Sequence, residues 1–183
     1  MLKRFVITGG PGFGKTTIIN RLEAMGYNCF HEFSRSLKLE EAKKLGGSIS
    51  WTKLDERSQD DFSLKVCKRR IEHYLAAPID ELSFYDRGIP DVVAYLKMAK
   101  QPISSFYNEI INSHKYETKL FMTPPWQQIF RNDNERIESY DEAVVAHRHL
   151  LHTYQELGYT TLDIPCINVE GRIQFIIDEI NKQ

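Results

Sequence analysis

The sequence predicts an α/β protein in three layers, a five-stranded parallel sheet covered on both faces by helices. Three observations lead there. Short apolar runs alternate along the chain with longer segments of helical periodicity. Successive runs are separated by connections long enough for crossovers, which parallel strands need and hairpins do not. Hydrophobic residues make up 42% of 183, enough for one core burying roughly 70% of the unfolded surface. The whole chain, residues 1–183, is therefore expected to form a single domain.

Phe5 to Thr8 is a short β-branched run followed at once by glycines. Thr16 to Met25 then places Ile18, Ile19, Leu22 and Met25 at helical spacing, and Gly26 stops the helix. Tyr27 to Phe30 reads as a second strand, ending in His31-Glu32. Helical patterns follow from Ser34 to Leu45 and from Thr52 to Ala77, broken by Gly46-Gly47-Ser48. Leu82 to Tyr85 is the third strand, terminated by Asp86-Arg87-Gly88. Helices are expected at Pro90–Met98 and Ile103–Asn112, and the fourth strand at Thr118–Met122, where Pro124-Pro125 forbids further ladder pairing. Ser139-x-x-Glu142 is a capping box opening a helix with Tyr140, Val144, His147, Leu151 and Tyr154 on one face. Gly158 ends it. Thr160 to Ile164 reads as the fifth strand, and Arg172 to Ile180 as a final helix with Ile173, Ile176, Ile177 and Ile180 inward.

Composition narrows the function classes. Lys+Arg at 24 against Asp+Glu at 25 leaves net charge -1, so no global positive field is available for a nucleic-acid backbone or an anionic membrane. Any phosphate binding must be local. Cys29, Cys67 and Cys166 lie far apart, which argues against a disulfide framework or a thiolate zinc site and for buried free thiols. The apolar run after Met1-Leu2-Lys3-Arg4 is too short for a signal-peptide core or a membrane span. A soluble, cytoplasmic protein is expected.

Gly9-Gly10-Pro11-Gly12-Phe13-Gly14-Lys15-Thr16 fits G-x-x-x-x-G-K-[ST], the phosphate-binding P-loop, placed between a strand and a helix as that device requires. Glycines let the backbone curl until its N–H groups converge on phosphate oxygens, and the helix N-terminus adds favourable partial charge. Lys15 would reach the β and γ phosphates, and the Thr16 hydroxyl would ligate Mg²⁺. The four constrained positions occur by accident in roughly one such chain per hundred.

Strand ends supply the other candidates, because open α/β sheets bind ligands at their carboxyl edge. Asp86 would be a second magnesium ligand or a general base; its plain alternative is a turn former. Arg87 would hold a phosphate or hydroxyl of the acceptor, or else make a surface ion pair. Glu32 would orient or deprotonate an acceptor hydroxyl with Arg35 beside it, or merely cap the next helix or pair with Arg35. The charged stretch from Arg131 to Arg136 falls where a mobile lid, about residues 123–138, would bring Arg131 and Arg136 onto the transferring phosphoryl group.

Other groupings read as ordinary packing or surface. His147, His149 and His152 share a helix, but no carboxylate or cysteine stands at a matching offset for zinc. Lys65, Lys68, Arg69 and Arg70 read as a solvated face. Trp51 and Trp126 would stack on a base or serve the core or the lid hinge.

Taken in order, Gly9 to Thr17, His31-Glu32-Phe33-Ser34-Arg35, Tyr85-Asp86-Arg87-Gly88-Ile89-Pro90-Asp91, Pro124-Pro125-Trp126 with Arg131 and Arg136, and Gly158-Tyr159 resemble the AAA-domain-like predicted ATPase family. That family is similar to the ribosylnicotinamide kinase domain of the regulator NadR and, more distantly, to nucleoside and nucleotide kinases. The resemblance covers essentially the whole chain. It implies a kinase-type P-loop sheet, ATP with Mg²⁺ bound by residues 9–17, Glu32 and Arg35 near the acceptor, Asp86 and Arg87 in the catalytic crevice, and Arg131 and Arg136 in the lid. The Asp86-Arg87-Gly88 form departs from the Asp-Thr-Asp type of the ribosylnicotinamide kinase domain, so that domain's substrate is not carried over.

The expectation is an ATP- and Mg²⁺-dependent phosphotransferase acting on a small hydroxyl-bearing acceptor, nucleoside-like or nucleotide-like. The alternative is a nucleotide-dependent switch or ATPase acting through a partner protein. The chain lacks the Asn-Lys-x-Asp tetrapeptide of small GTPases. A pure binding module would leave Glu32, Arg87 and the lid arginines without a role.

Overall fold

A computed structural model describes residues 3–34, 36–37, 56–130 and 138–182. The strands are β1 (Arg4–Thr8), β2 (Asn28–Phe30), β3 (Ser83–Asp86), β4 (Lys119–Met122) and β5 (Thr160–Asp163). The helices named below are α1 (Lys15–Ala24), α2 (Glu56–Ala76), α3 (Pro90–Met98), α4 (Ser105–Ser113), α5 (Tyr140–Glu156) and α6 (Val169–Asn181). The strands form one parallel sheet in the order β2-β3-β1-β4-β5. The three-layer α/β architecture is the expected one, and each expected strand is present within a residue or two of its predicted bounds.

Side-chain alternation along β1 splits the core between the two faces of the sheet. Phe5 and Ile7 pack with Phe84, Phe121 and the α1 and α6 residues Ile18, Ile19, Leu22, Ile173 and Ile176. Val6 points the other way, with Tyr85, Leu120 and Met122, into a cluster completed by α2, α3, α4 and α5. Register then sets the site. Ile7 pairs with Asp86 across β1 and β3, so Asp86 ends its strand beside the first glycines of the loop that leaves β1.

Local signals act as their chemistry requires. The α5 capping box is complete, with Ser139 Oγ accepting from Glu142 N at 3.3 Å and Glu142 Oε2 accepting from Ser139 N at 2.7 Å. The final helix starts earlier than expected because the Asn168 side chain accepts from Gly171 N and caps it.

Some expectations need correction. The buried face of α5 is rotated toward Ala143, Ala146, His147, Leu150 and Tyr154, leaving Tyr140, Val144 and Leu151 half-buried. Small alanines let that helix approach the glycine loop directly. Of the cysteines, Cys67 is buried, Cys29 half-buried and Cys166 exposed, so the uniformly buried thiols expected from composition are not found. Most of the helix predicted at 34–45, the 46–48 break and Trp51 lie outside the described residues. Among the described residues, no helix is long and apolar enough to cross a membrane.

Candidate functional site

The loop after β1 is clamped from several directions. A Cβ on Gly10 would sit 2.3 Å from the Ala143 carbonyl oxygen, and one on Gly9 would sit 2.4 Å from Thr123 Oγ1, so neither position has room for a side chain. Phe13, only a variable position in the motif, is fully buried. Its ring lies 6.2 Å from Phe130, 5.9 Å from Tyr140 and 6.2 Å from His147, which anchors the loop on both flanks of the 131–137 segment. Arg172 of α6 packs beneath the loop, donating from Nη2 to Phe13 O at 3.3 Å with its guanidinium 5.6 Å from the Trp126 ring.

Lys15 opens α1, whose first turn carries no acidic side chain to offset its positive end. Its ammonium donates to the Gly9 and Gly10 carbonyls at 2.9 and 2.7 Å. Burial first, then the neighbouring Arg87 charge, pulls this lysine down to about 7 against the attraction of Asp86, Glu32 and Asp91. Thr16 Oγ1 donates to Asp86 Oδ2 at 3.2 Å, joining the two candidate magnesium ligands across the β1–β3 edge. Asp86 Oδ1 is buried with no hydrogen-bond partner. Burial raises the Asp86 carboxyl above the usual range, opposed by Lys15. A hydroxyl beside a carboxylate with an unmet oxygen is a hard-oxygen donor set, and it fits Mg²⁺.

A second group of charges lies beside the first. Glu32 Oε1 accepts from the Phe33 and Ser34 N–H groups at 3.0 and 2.8 Å, while Oε2 meets Arg87 Nε at 2.7 Å and Arg70 Nη2 at 3.4 Å. Glu32 therefore both caps the following turn and pairs with arginine. The observed partners are Arg70 and Arg87; Arg35 lies outside the described residues. Burial works to raise the Glu32 carboxyl, but Arg70, Arg87 and the Ser34 N–H outweigh it and bring it to about 2.

Arg70 corrects the expected solvated face. Lys65, Lys68 and Arg69 are exposed, but Arg70 is 4% exposed and its Nη1 donates to Gly88 O. The missed signal is a period of four: Arg70 stands in line with Phe62, Val66 and Tyr74, all buried.

Arg87 is buried rather than on the surface, with a left-handed backbone at φ 77°. Its N–H donates to Ile7 O at 3.0 Å, continuing the β1–β3 ladder one residue past the strand. Burial would lower its guanidinium, but Tyr95 and the carboxylates of Glu32, Asp91 and Asp86 hold it above its ordinary value. Of the predicted site residues, Lys15, Thr16, Asp86, Arg87 and Glu32 share this crevice, whereas Arg131 and Arg136 lie outside the described residues. His147 packs on Phe13 and His152 pairs with Glu156 at 3.0 Å; among the described residues there is no metal-type cluster of His, Cys, Asp and Glu.

A family profile described as AAA domain matches residues 4–172. The chain belongs to the AAA domain family. No curated protein matches the sequence of this AAA-domain chain. Among solved structures it is similar to a deoxyadenosine kinase from M. mycoides with bound dATP, at TM-score 0.69 and 14% identity over 98% of this chain and 99% of that one. It is also similar to a NadR protein in complex with NR, at TM-score 0.73 and 18% identity over 99% of this chain and 51% of that one. A thymidylate kinase from Ehrlichia chaffeensis matches at TM-score 0.60 and 16% identity over 97% and 98%. These likenesses establish a P-loop kinase-like fold.

Proposed function

We propose that this AAA-domain chain is an ATP- and Mg²⁺-dependent phosphotransferase whose acceptor is a small hydroxyl compound, nucleoside-like or nucleotide-like. The single observation that carries the reading is the pair of charge groups side by side at one sheet edge. Lys15, Thr16 and Asp86 form the phosphate and metal side. Glu32 and Arg87 form the acceptor side, 2.7 Å apart and both held by backbone contacts. A structure built only to bind nucleotide has no need of the second group. The kinship with kinase folds supports the same reading.

In this reading the loop amides of residues 9–17 and Lys15 hold the phosphates of ATP, and Thr16 and Asp86 hold magnesium. The metal's contribution is to neutralise charge on the phosphoryl oxygens. Arg87 faces the acceptor, and Glu32 keeps it there. Glu32 itself makes a poor general base: its lone-pair directions already meet four donors, and a carboxyl near 2 holds a proton weakly. A loose transition state asks little of a base, so positioning and charge are what the protein must supply. A lid of about residues 123–138, with Arg131 and Arg136, would exclude water, and the whole chain would act as one domain.

The test is incubation with labelled ATP, magnesium and a panel of nucleosides and nucleotides. Label on an acceptor supports the kinase. Free phosphate alone, with every acceptor unlabelled, overturns it in favour of a nucleotide-hydrolysing switch.

A further inference from the structure

Four donors converge on one fully buried carboxylate that lies outside the group just described. Asp91, in the first turn of α3, is 0% exposed. Its Oδ1 accepts from Thr8 Oγ1 at 2.6 Å and from Arg87 Nη1 at 3.1 Å. Its Oδ2 accepts from Gly88 N at 2.9 Å and from Tyr154 OH at 2.6 Å. Arg87 Nη1 and the Gly88 N–H can only donate, one to each oxygen, so both sides of the group must accept; an amide would turn its NH2 against one of them.

The positions of these partners give the arrangement its meaning. Thr8 is the last residue of β1, directly before the glycine loop; Gly88 follows Arg87 at the end of β3; Tyr154 belongs to α5, whose first turn presses on Gly10. Arg87 is held twice, from Nε by Glu32 and from Nη1 by Asp91. Fixing two of the three guanidinium nitrogens fixes the plane of the group and the direction in which Nη2 points. An acidic residue in a first helical turn ordinarily sits at the surface and answers the helix dipole. Complete burial with an i, i+4 arginine is a different arrangement.

We propose that Asp91, backed by Tyr154, is a positioning residue that sets the Arg87 guanidinium for the acceptor and ties it, through Thr8, to the strand carrying the phosphate loop. This rests on the phosphotransferase reading, with Arg87 on the acceptor side. Asp91 acts through Arg87 and touches no reacting atom.

The decisive experiment compares Asp91→Asn, Arg87→Ala and the double variant in steady-state phosphotransfer to an acceptor found in the panel. Asp91→Asn should raise the acceptor KM at least tenfold while the ATP KM changes less than twofold, and in the Arg87→Ala background it should change acceptor kcat/KM less than twofold. Equal penalties in both backgrounds, or equal losses toward ATP and acceptor, would show a merely structural role and overturn the proposal. If Asp91→Asn does not fold, Tyr154→Phe decides: a threefold or greater rise in acceptor KM alone supports the proposal, and no change overturns it. A second readout separates this idea from the functional reading. In ¹⁵N NMR the Arg87 Nε–H signal, assigned by its loss in Arg87→Lys, should be sharp and slowly exchanging in the wild type and broadened in Asp91→Asn or Tyr154→Phe. Should the wild type phosphorylate nothing, the phosphotransferase reading fails while this signal still decides whether Asp91 orders Arg87; an unchanged signal overturns the positioning role.

Discussion

Glu32 Oε2 stands 2.7 Å from Arg87 Nε, an ion pair that joins the segment after β2 to the end of β3 at the carboxyl edge of the sheet. Arg70 reaches the same oxygen from α2, so three buried or nearly buried charges from separate parts of the chain share one point. Breaking such a group by removing one member leaves uncompensated charge behind, which costs far more than losing a surface pair.

The pH dependence of stability should therefore change in Glu32→Gln. The folded carboxyl titrates at about 2 against an ordinary 4.5. A depressed carboxyl stabilises the fold above its unfolded value, and that stabilisation disappears as pH falls from about 4.5 to about 2. Its size is on the order of 3 kcal/mol. Urea unfolding of wild type and variant should show a gap that is widest at neutral pH and shrinks through that acid window. A gap of constant size across pH would contradict the proposed coupling.

Two glycines should respond differently to alanine. Gly10→Ala forces a methyl group within 2.3 Å of the Ala143 carbonyl and 2.5 Å of the Phe13 ring. Overpacking of this kind costs about 1–3 kcal/mol and would distort the loop proposed to hold phosphate. Gly26 has a left-handed φ of 92° but open space around it, so Gly26→Ala should cost about 1 kcal/mol and leave nucleotide affinity unchanged. Denaturant midpoints and nucleotide titrations on both variants check this.

Asp86→Asn should retain the fold and lose chemistry. The amide keeps the shape beside Thr16 but supplies no anionic oxygen for a divalent cation. Turnover should fall by about 100-fold or more, with the magnesium concentration for half-maximal activity rising several-fold.

Much of this was legible in the residues. Five short apolar runs, with crossover-length connections and one G-x-x-x-x-G-K-[ST] loop, lead directly to the parallel sheet and to the place where Lys15, Thr16 and Asp86 meet, because strand register follows from which faces are buried. Glu32 and Arg87 were readable as strand-end residues. What they bind was not. Arg70 stands 38 positions from Glu32, and Asp91 meets Tyr154 across 63; such pairings depend on how helices lie over the sheet, which local periodicity does not specify. Arg70 also sits in a run of exposed cations, where composition hides a four-residue register that points it inward. Local periodicity marks Arg172 only as the start of a helix, and the packing of α6 beneath Phe13 and Gly14 reveals its link to the loop.

The whole account depends on Lys15 and the amides around it gripping the phosphates of a nucleotide. Lys15 is 6% exposed and already pinned against the Gly9 and Gly10 carbonyls, so its charge is held within the loop itself. A charge-assisted contact of this kind contributes about 1.5–3 kcal/mol, roughly 10- to 150-fold in affinity. Calorimetric titration of ATP with magnesium into wild type and Lys15→Ala is the most direct measurement. The account predicts saturable one-to-one binding to the wild type and at least a tenfold weakening in the variant, at an unchanged melting temperature in the absence of nucleotide or a slightly higher one. Equal affinity for both proteins, or no binding to the wild type, would contradict it.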